Sequence, residues 1–128
     1  MRRDSKDQRW KDTKEAVYLR DSSRCRLMKV LTISEALMLR KNAGPFLNHI
    51  DCAHFLSVGQ NPEDCYDSDD IVCLNHYSHS NLDDFKSPID GHHIPKDEVY
   101  KWWIRILKGN TEQYKALVDK GLLEENND

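Results

Sequence analysis

"DCAHFLSVGQNPEDCYDSDDIVCLNHYSHSNLDDF", residues 51–85, holds three of the chain's four cysteines and three of its six histidines. Its hydrophobic period changes along its length. "HIDCAHFLSV" (49–58) alternates well enough for a strand. "GQNPEDCYDSDD" (59–70) is rich in breakers and reads as a loop. "IVCL" (71–74) is short and β-branched, a second strand. "NHYSHSNLDDF" (75–85) reads as a helix with Tyr77, Leu82 and Phe85 turned inward. The stretch therefore predicts a hairpin packed on the helix that follows it.

On the N-terminal side, residues 4–21 read as a helix with an apolar stripe through Trp10, Val17 and Tyr18. "RCRLMKVL" (24–31) is a turn or a short strand. "TISEALMLRKNAG" (32–44) is a helix capped by Thr32 or Ser34 and stopped by Gly44-Pro45. On the C-terminal side, "KSPIDGHHIP" (86–95) is a loop. Pro95 opens "KDEVYKWWIRILKG" (96–109), with Val99, Trp102, Trp103, Ile106 and Leu107 inward and Gly109 as its stop. "NTEQYKALVDKG" (110–121) is a last amphipathic helix, and residues 124–128 form a disordered tail. The expected class is α+β: mostly helical, with a two-stranded hairpin packed on a helix and flanking N- and C-terminal helices.

The chain has 128 residues, one domain by length. We divide residues 1–123 into a core at about 48–86, basic N-terminal helices at 4–43 and C-terminal helices at 96–121. No apolar run reaches the length of a membrane span, and "MRRDSKDQRW" lacks the apolar segment of a signal peptide. A cytoplasmic protein with reduced thiols is expected, and no membrane partner. The net charge of −3 conceals an asymmetry. Residues 1–48 hold 12 Lys or Arg and 6 Asp or Glu, a balance of +6; residues 49–100 hold 2 and 11, a balance of −9. Such a division is either two solvated faces or a polyanion footprint beside a carboxylate-rich cation site.

The chemistry-bearing residues sit in the hairpin and its helix. His79 and Asp83 are spaced i, i+4 and share a helix face, where a neutral imidazole and a carboxylate can hold a divalent cation. His54, on the preceding strand, is aimed toward the same place if the hairpin packs on that helix. A histidine beside a cation but not bound to it can take a proton from water.

"DCAHF", "DDIVCL" and "SHSNLD" together resemble the HNH endonuclease superfamily, with its ββα-metal core. His54 fills the place of the strand-one histidine, Asp70 that of the Asn before the second strand, and His79 and Asp83 those of the helical ligand pair. The separations, nine residues from Asp70 to His79 and 25 from His54 to His79, match that motif. "HSNLDDFKSPIDG" and "KWWIRIL" are similar to small phage and bacterial HNH proteins. The resemblance spans about residues 18–108. It implies an endonuclease that hydrolyses DNA phosphodiester bonds with one divalent cation, Mg²⁺ or Mn²⁺ with Zn²⁺ or Ni²⁺ as alternatives, plausibly in phage DNA processing or degradation. His54 would be the general base, His79 and Asp83 the metal ligands, and Arg20, Arg24, Arg26, Arg40 and Lys41 the phosphate-holding pool.

Three positions depart from the pattern. Ala53 stands where relatives place a ligand directly before the base. Asp51, three residues before His54, is the substitute ligand, although strand alternation turns it to the face opposite His54. Asp70 replaces the Asn that pins the loop, and accepts but cannot donate when ionised. The two C-x-x-C pairs of zinc-bearing relatives fall on Cys25 with Met28 and on Asn75 with Ser78, so a structural zinc is not expected.

Other candidates carry blander readings. Asp84 rivals Asp83 but suits a surface charge. His92 and His93 sit in a loop with no histidine after them to complete a site. His49 and His76 have no partner at useful spacing and are read as surface residues, His76 with a place along the groove. Cys52 and Cys73 are read as small apolar groups of the strands. The alternatives to the enzyme are a catalytically inactive HNH-like module that binds DNA or protein, and a helical adaptor whose acidic half is the interaction face.

Overall fold

The computed structural model describes residues 8–55, 67–121 and 123. The element order is α1 (Gln8–Asp21), α2 (Ile33–Ala43), β1 (Ile50–His54), β2 (Ile71–Asn75), α3 (His76–Asp83), α4 (Lys96–Leu107) and α5 (Thr111–Asp119), with short 3-10 turns at Leu27–Lys29, Gly44–Asn48 and Ser68–Asp70. The expected class holds: a mostly helical α+β fold around one antiparallel hairpin. No described helix is long and apolar enough to cross a membrane. Most of the expected loop at 59–70, the tail and the start of the first helix lie outside the described residues.

β1 and β2 pair in the register Ile50↔Asn75, Asp51↔Leu74, Cys52↔Cys73, Ala53↔Val72 and His54↔Ile71. All five residues of β2 are buried because both faces of the hairpin are covered. Ala53, Val72 and Leu74 join the main core with Leu82, Trp103, Ile106, Leu107 and Leu117. On the other face, Ile71 and Cys73 meet Trp10 and Val17 of α1. A strand covered on both sides reads as a continuous apolar run, as "IVCL" does.

The helix termini follow their capping chemistry. Thr32 and Glu35 form a capping box at the start of α2, which settles the Thr32-or-Ser34 choice. Asn75 caps α3, its side chain accepting from the Ser78 N–H at 2.9 Å. Asn110 caps α5 in the same way through Gln113. α1 stops where Ser22 and Ser23 take positive φ values of 56° and 54°. Arg105 of α4 forks onto Glu35 of α2, at 2.9 and 2.6 Å, and also donates to the Val30 carbonyl. The guanidinium pushes the Glu35 carboxyl down to about 2.

A buried ion network ties α1 to the hairpin and α5. Asp21 accepts from Arg20 at 2.8 and 2.9 Å, from Arg26 at 3.1 Å and from the Cys73 N–H at 3.0 Å. Arg26 also donates to Gln113 Oε1 at 2.6 Å and to the Ile106 carbonyl at 3.1 Å. Burial alone would raise the Asp21 pKa; the bonds from Arg20 and Cys73 and the two guanidinium charges outweigh it and hold it below its ordinary value.

Phe85 departs from expectation. It lies past the end of α3 at φ 57° and is half exposed rather than inward. The helix ends at Asp83 because the Asp84 and Lys86 N–H groups turn back to the Asn81 carbonyl, so residue 85 no longer follows the helical period.

Candidate metal centre

The site forms where the hairpin begins and α3 departs. The His76 N–H donates to the His49 carbonyl at 2.8 Å, which extends the ladder one pair beyond Ile50↔Asn75 and brings residues 49 and 76 side by side. Asp51 lies on the strand face turned toward α3. Its Oδ2 accepts from His76 Nδ1 at 2.8 Å and from His79 Nδ1 at 2.9 Å. His49 Nε2 stands 3.3 Å from the other oxygen, Oδ1. One helical turn on, Asp83 Oδ2 lies 3.3 Å from His79 Nε2. Three imidazoles and two carboxylates thus converge.

These bonds fix protonation states. An ionised Asp51 accepts only, so His76 and His79 carry their protons on Nδ1. His79 faces a carboxylate from each ring nitrogen. Burial disfavours its charged form, but the hydrogen bonds and charges of Asp83 and Asp51 outweigh burial, and its pKa rises above the ordinary value. Burial would likewise raise Asp51; His79 and His76 overcome that and lower it. Two carboxylates facing one imidazole favour positive charge at this point, whether a proton or a metal cation.

The donor set fits a divalent ion. Donor atoms of His49, Asp51 and His76 lie within 4.8 Å of one another, close to the separation of two ligands each about 2.0–2.2 Å from one metal. Mixed imidazole and carboxylate donors suit Mn²⁺, Zn²⁺ or Ni²⁺ better than Mg²⁺, which prefers oxygen. His49 and Asp83 are exposed, which leaves room for water. The His49 and His76 rings stack at 5.0 Å, and half-exposed Phe46 packs on His76 at 5.6 Å.

The structure brings Asp51, His79 and Asp83 together and leaves His54 elsewhere. His54 pairs with Ile71 at the far end of β1, three residues from Asp51, or about 10 Å along the strand. Strand alternation turns it to the opposite face, where its ring stacks on Trp10 of α1 at 5.5 Å. The expectation that the hairpin would aim His54 at the helical pair is therefore corrected. Asp70 is buried, and its carbonyl accepts the Phe55 N–H at 2.7 Å, closing the ladder at the loop end. Asp84 is exposed and pairs with Lys86 at 3.3 Å, away from the cluster.

His49 and His76 are the members of this cluster that sequence reading passed over as surface residues. His76 lies one turn before His79 on the same face, a visible signal. His49 becomes their neighbour only through the strand register.

Cys25, Asn75 and Ser78, three of the four positions matching the C-x-x-C pairs, also meet. Asn75 donates to Cys25 Sγ from its backbone at 3.2 Å and from its side chain at 3.4 Å, and to Ser78 Oγ at 3.0 Å. Ser78 Oγ donates onward to the Pro88 carbonyl at 2.8 Å. These residues form a buried hydrogen-bond network.

The basic pool divides. Arg24 is exposed and lines a cleft with Lys29, Leu47, Asn48 and Ile50, next to His49. Arg40 and Lys41 are exposed at the end of α2. Arg26, 1% exposed, is structural, which corrects its assignment as a phosphate contact; Arg20 is partly exposed and bonded to Asp21 and to the Ser68 and Ile71 carbonyls.

No protein-family model matches this chain, and comparison with curated proteins and with solved structures returns no significant match.

Proposed function

We propose that this chain is a metal-dependent endonuclease of the HNH kind, hydrolysing DNA phosphodiester bonds with one divalent cation. The observation that carries this reading is the double contact of Asp51 Oδ2, from β1, with His76 and His79 of the helix that follows the hairpin. Asp51, His76, His79 and Asp83 are the ligand pool. The cation, when bound, supplies charge for the scissile phosphate and for the leaving oxygen. Asp51, accepting from Nδ1 of His76 and of His79, holds both imidazoles in the tautomer that presents Nε2, and Asp83 stands beside His79 Nε2, where the two would share the ion. His49, exposed and with Nε2 3.3 Å from the outer oxygen of Asp51, takes the proton from water, the role the motif would give to His54. Arg24, Arg40 and Lys41 hold backbone phosphates, and Asp70 pins the loop end of the hairpin.

A second reading, a cation-binding module that holds DNA without cutting it, is favoured by one observation: His54 faces α1 instead of the cluster. Nicking of supercoiled plasmid decides between them. With Mn²⁺ or Mg²⁺, the nuclease nicks, and a chelator, Asp51→Ala or His79→Ala abolishes nicking. His49→Ala lowers the rate by about 10²–10⁴-fold, as loss of a general base does, while His54→Ala retains it. Salt-sensitive DNA retention without nicking supports the inert module.

A further inference from the structure

Cys52 and Cys73 face each other across the hairpin. The ladder bonds at its two ends, His76 N–H to His49 and Phe55 N–H to Asp70, make 49/76 and 55/70 hydrogen-bonded pairs. Pair types alternate along an antiparallel ladder, so 52/73 is a non-hydrogen-bonded pair. The outward bonds of residue 73 agree: its N–H goes to Asp21 and its carbonyl accepts from the Arg26 N–H. In such pairs the Cα atoms stand about 4.5 Å apart and the side chains approach closely, within the span a disulfide bridges. Both side chains lie on the α1 face, in the cluster with Val17 and Tyr18, and both are free thiols. Cys52 is partly exposed and Cys73 fully buried, which fixes the order of attack.

We propose that Cys52 and Cys73 are a modification site, forming a reversible cross-strand disulfide by exchange with a low-molecular-weight disulfide. The Cys52 thiolate attacks one sulfur of the small disulfide. That S–S bond breaks, a mixed disulfide forms, and the released thiolate leaves with the electron pair and takes up a proton. Cys73 then loses its proton to solvent or to the leaving group and attacks Cys52 Sγ, expelling the second small thiol. Two protein thiols are oxidised and one small disulfide is reduced to two thiols. The product staples the strand that carries Asp51 to its neighbour, as reversible disulfides do in redox-sensing proteins.

The test uses the full chain with Cys65→Ser, in chelator, equilibrated over a series of oxidised and reduced glutathione ratios. Alkylation and peptide mapping read the products. The expected result is one linked pair, residues 52 and 73, with Cys25 still reduced, a raised melting temperature and full reversal by excess reductant. In Cys73→Ser, glutathione stays on Cys52; in Cys52→Ser, no protein disulfide forms. Glutathione retained on Cys52 with Cys73 intact, a link to Cys25, or no oxidation at any ratio overturns the proposal.

Discussion

The Asp51 carboxylate on β1 lies 2.9 Å from Nδ1 of His79 on α3, so the first strand of the hairpin and the helix that leaves the second share one charged contact. His76 reaches the same oxygen and His49 the other, while Asp83 closes on the far side of His79. Removing Asp51 takes away the group on which all three imidazoles converge. Asp51→Asn is expected to weaken Mn²⁺ binding more than about 100-fold, beyond the roughly 10–100-fold range of supporting residues, because it is itself a ligand. Titration calorimetry on wild type and variant measures it. An unchanged affinity would place the ion elsewhere.

The cluster titrates in opposite senses for stability and for cation binding. His79 has a raised pKa, so its contribution to stability is fully present below about 6.5, the ordinary histidine value, and is lost as pH rises through the folded value. Asp51 has a lowered pKa, so its contribution is present above 3.8 and lost as pH falls through its folded value. Cation affinity runs the other way from His79: it rises with pH as that proton leaves, because a ligand must be deprotonated. Melting temperatures in chelator and Mn²⁺ titrations, both across pH 5–9, are expected to slope in opposite directions above about pH 6.5. Parallel slopes would mean that His79 is not part of the cation site.

The two arginines that the sequence could not separate, Arg24 and Arg26, are expected to behave differently. Arg26→Ala removes the buried donor shared by Asp21, Gln113 and the Ile106 carbonyl, although Asp21 keeps Arg20 and the Cys73 N–H. It should cost about 3–5 kcal/mol of stability, the range for breaking a buried ion pair. Arg24→Ala should stay within about 0.5 kcal/mol of wild type, as exposed substitutions do, and lower the salt dependence of DNA retention by about one phosphate contact. Denaturant melts and salt-dependent binding distinguish the two.

The buried Cys25–Asn75–Ser78 network should be worth as much to the fold as its burial suggests. Asn75→Ala removes the α3 cap and the side-chain donor to Cys25 and Ser78, an expected loss of about 2–3 kcal/mol. Conversely, Met28→Cys, Asn75→Cys and Ser78→Cys together with native Cys25 should create a Zn²⁺ site that raises the melting temperature. Failure of the triple variant to bind Zn²⁺ would show that the four positions do not share one centre.

Local pattern made the order of elements legible, because "IDCAH" and "KDEVYKWWIRIL" carry a repeat and "IVCL" is a short β-branched apolar run. Capping residues bracketed the start of α2 as Thr32 or Ser34, and the structure selects Thr32. The pairing of His79 with Asp83 was visible as an i, i+4 spacing, and the separation of Asp51 from His54 as strand parity. Register was not visible: it depends on a loop closure and sets His49 beside His76. Nor was the role of Arg26, since a buried and an exposed arginine look alike until the partners Asp21 and Gln113, from distant elements, are known. The motif separations carried His54 toward the helix, but the packing of α1 on the hairpin gave it Trp10 as a neighbour instead.

The most direct test of the central claim is an anomalous-difference map from crystals soaked in Mn²⁺. The account predicts one strong peak about 2.2 Å from an Asp51 oxygen and from at least one imidazole nitrogen of His76 or His79. No peak at that cluster, or a peak at His54 beside Trp10, would contradict it.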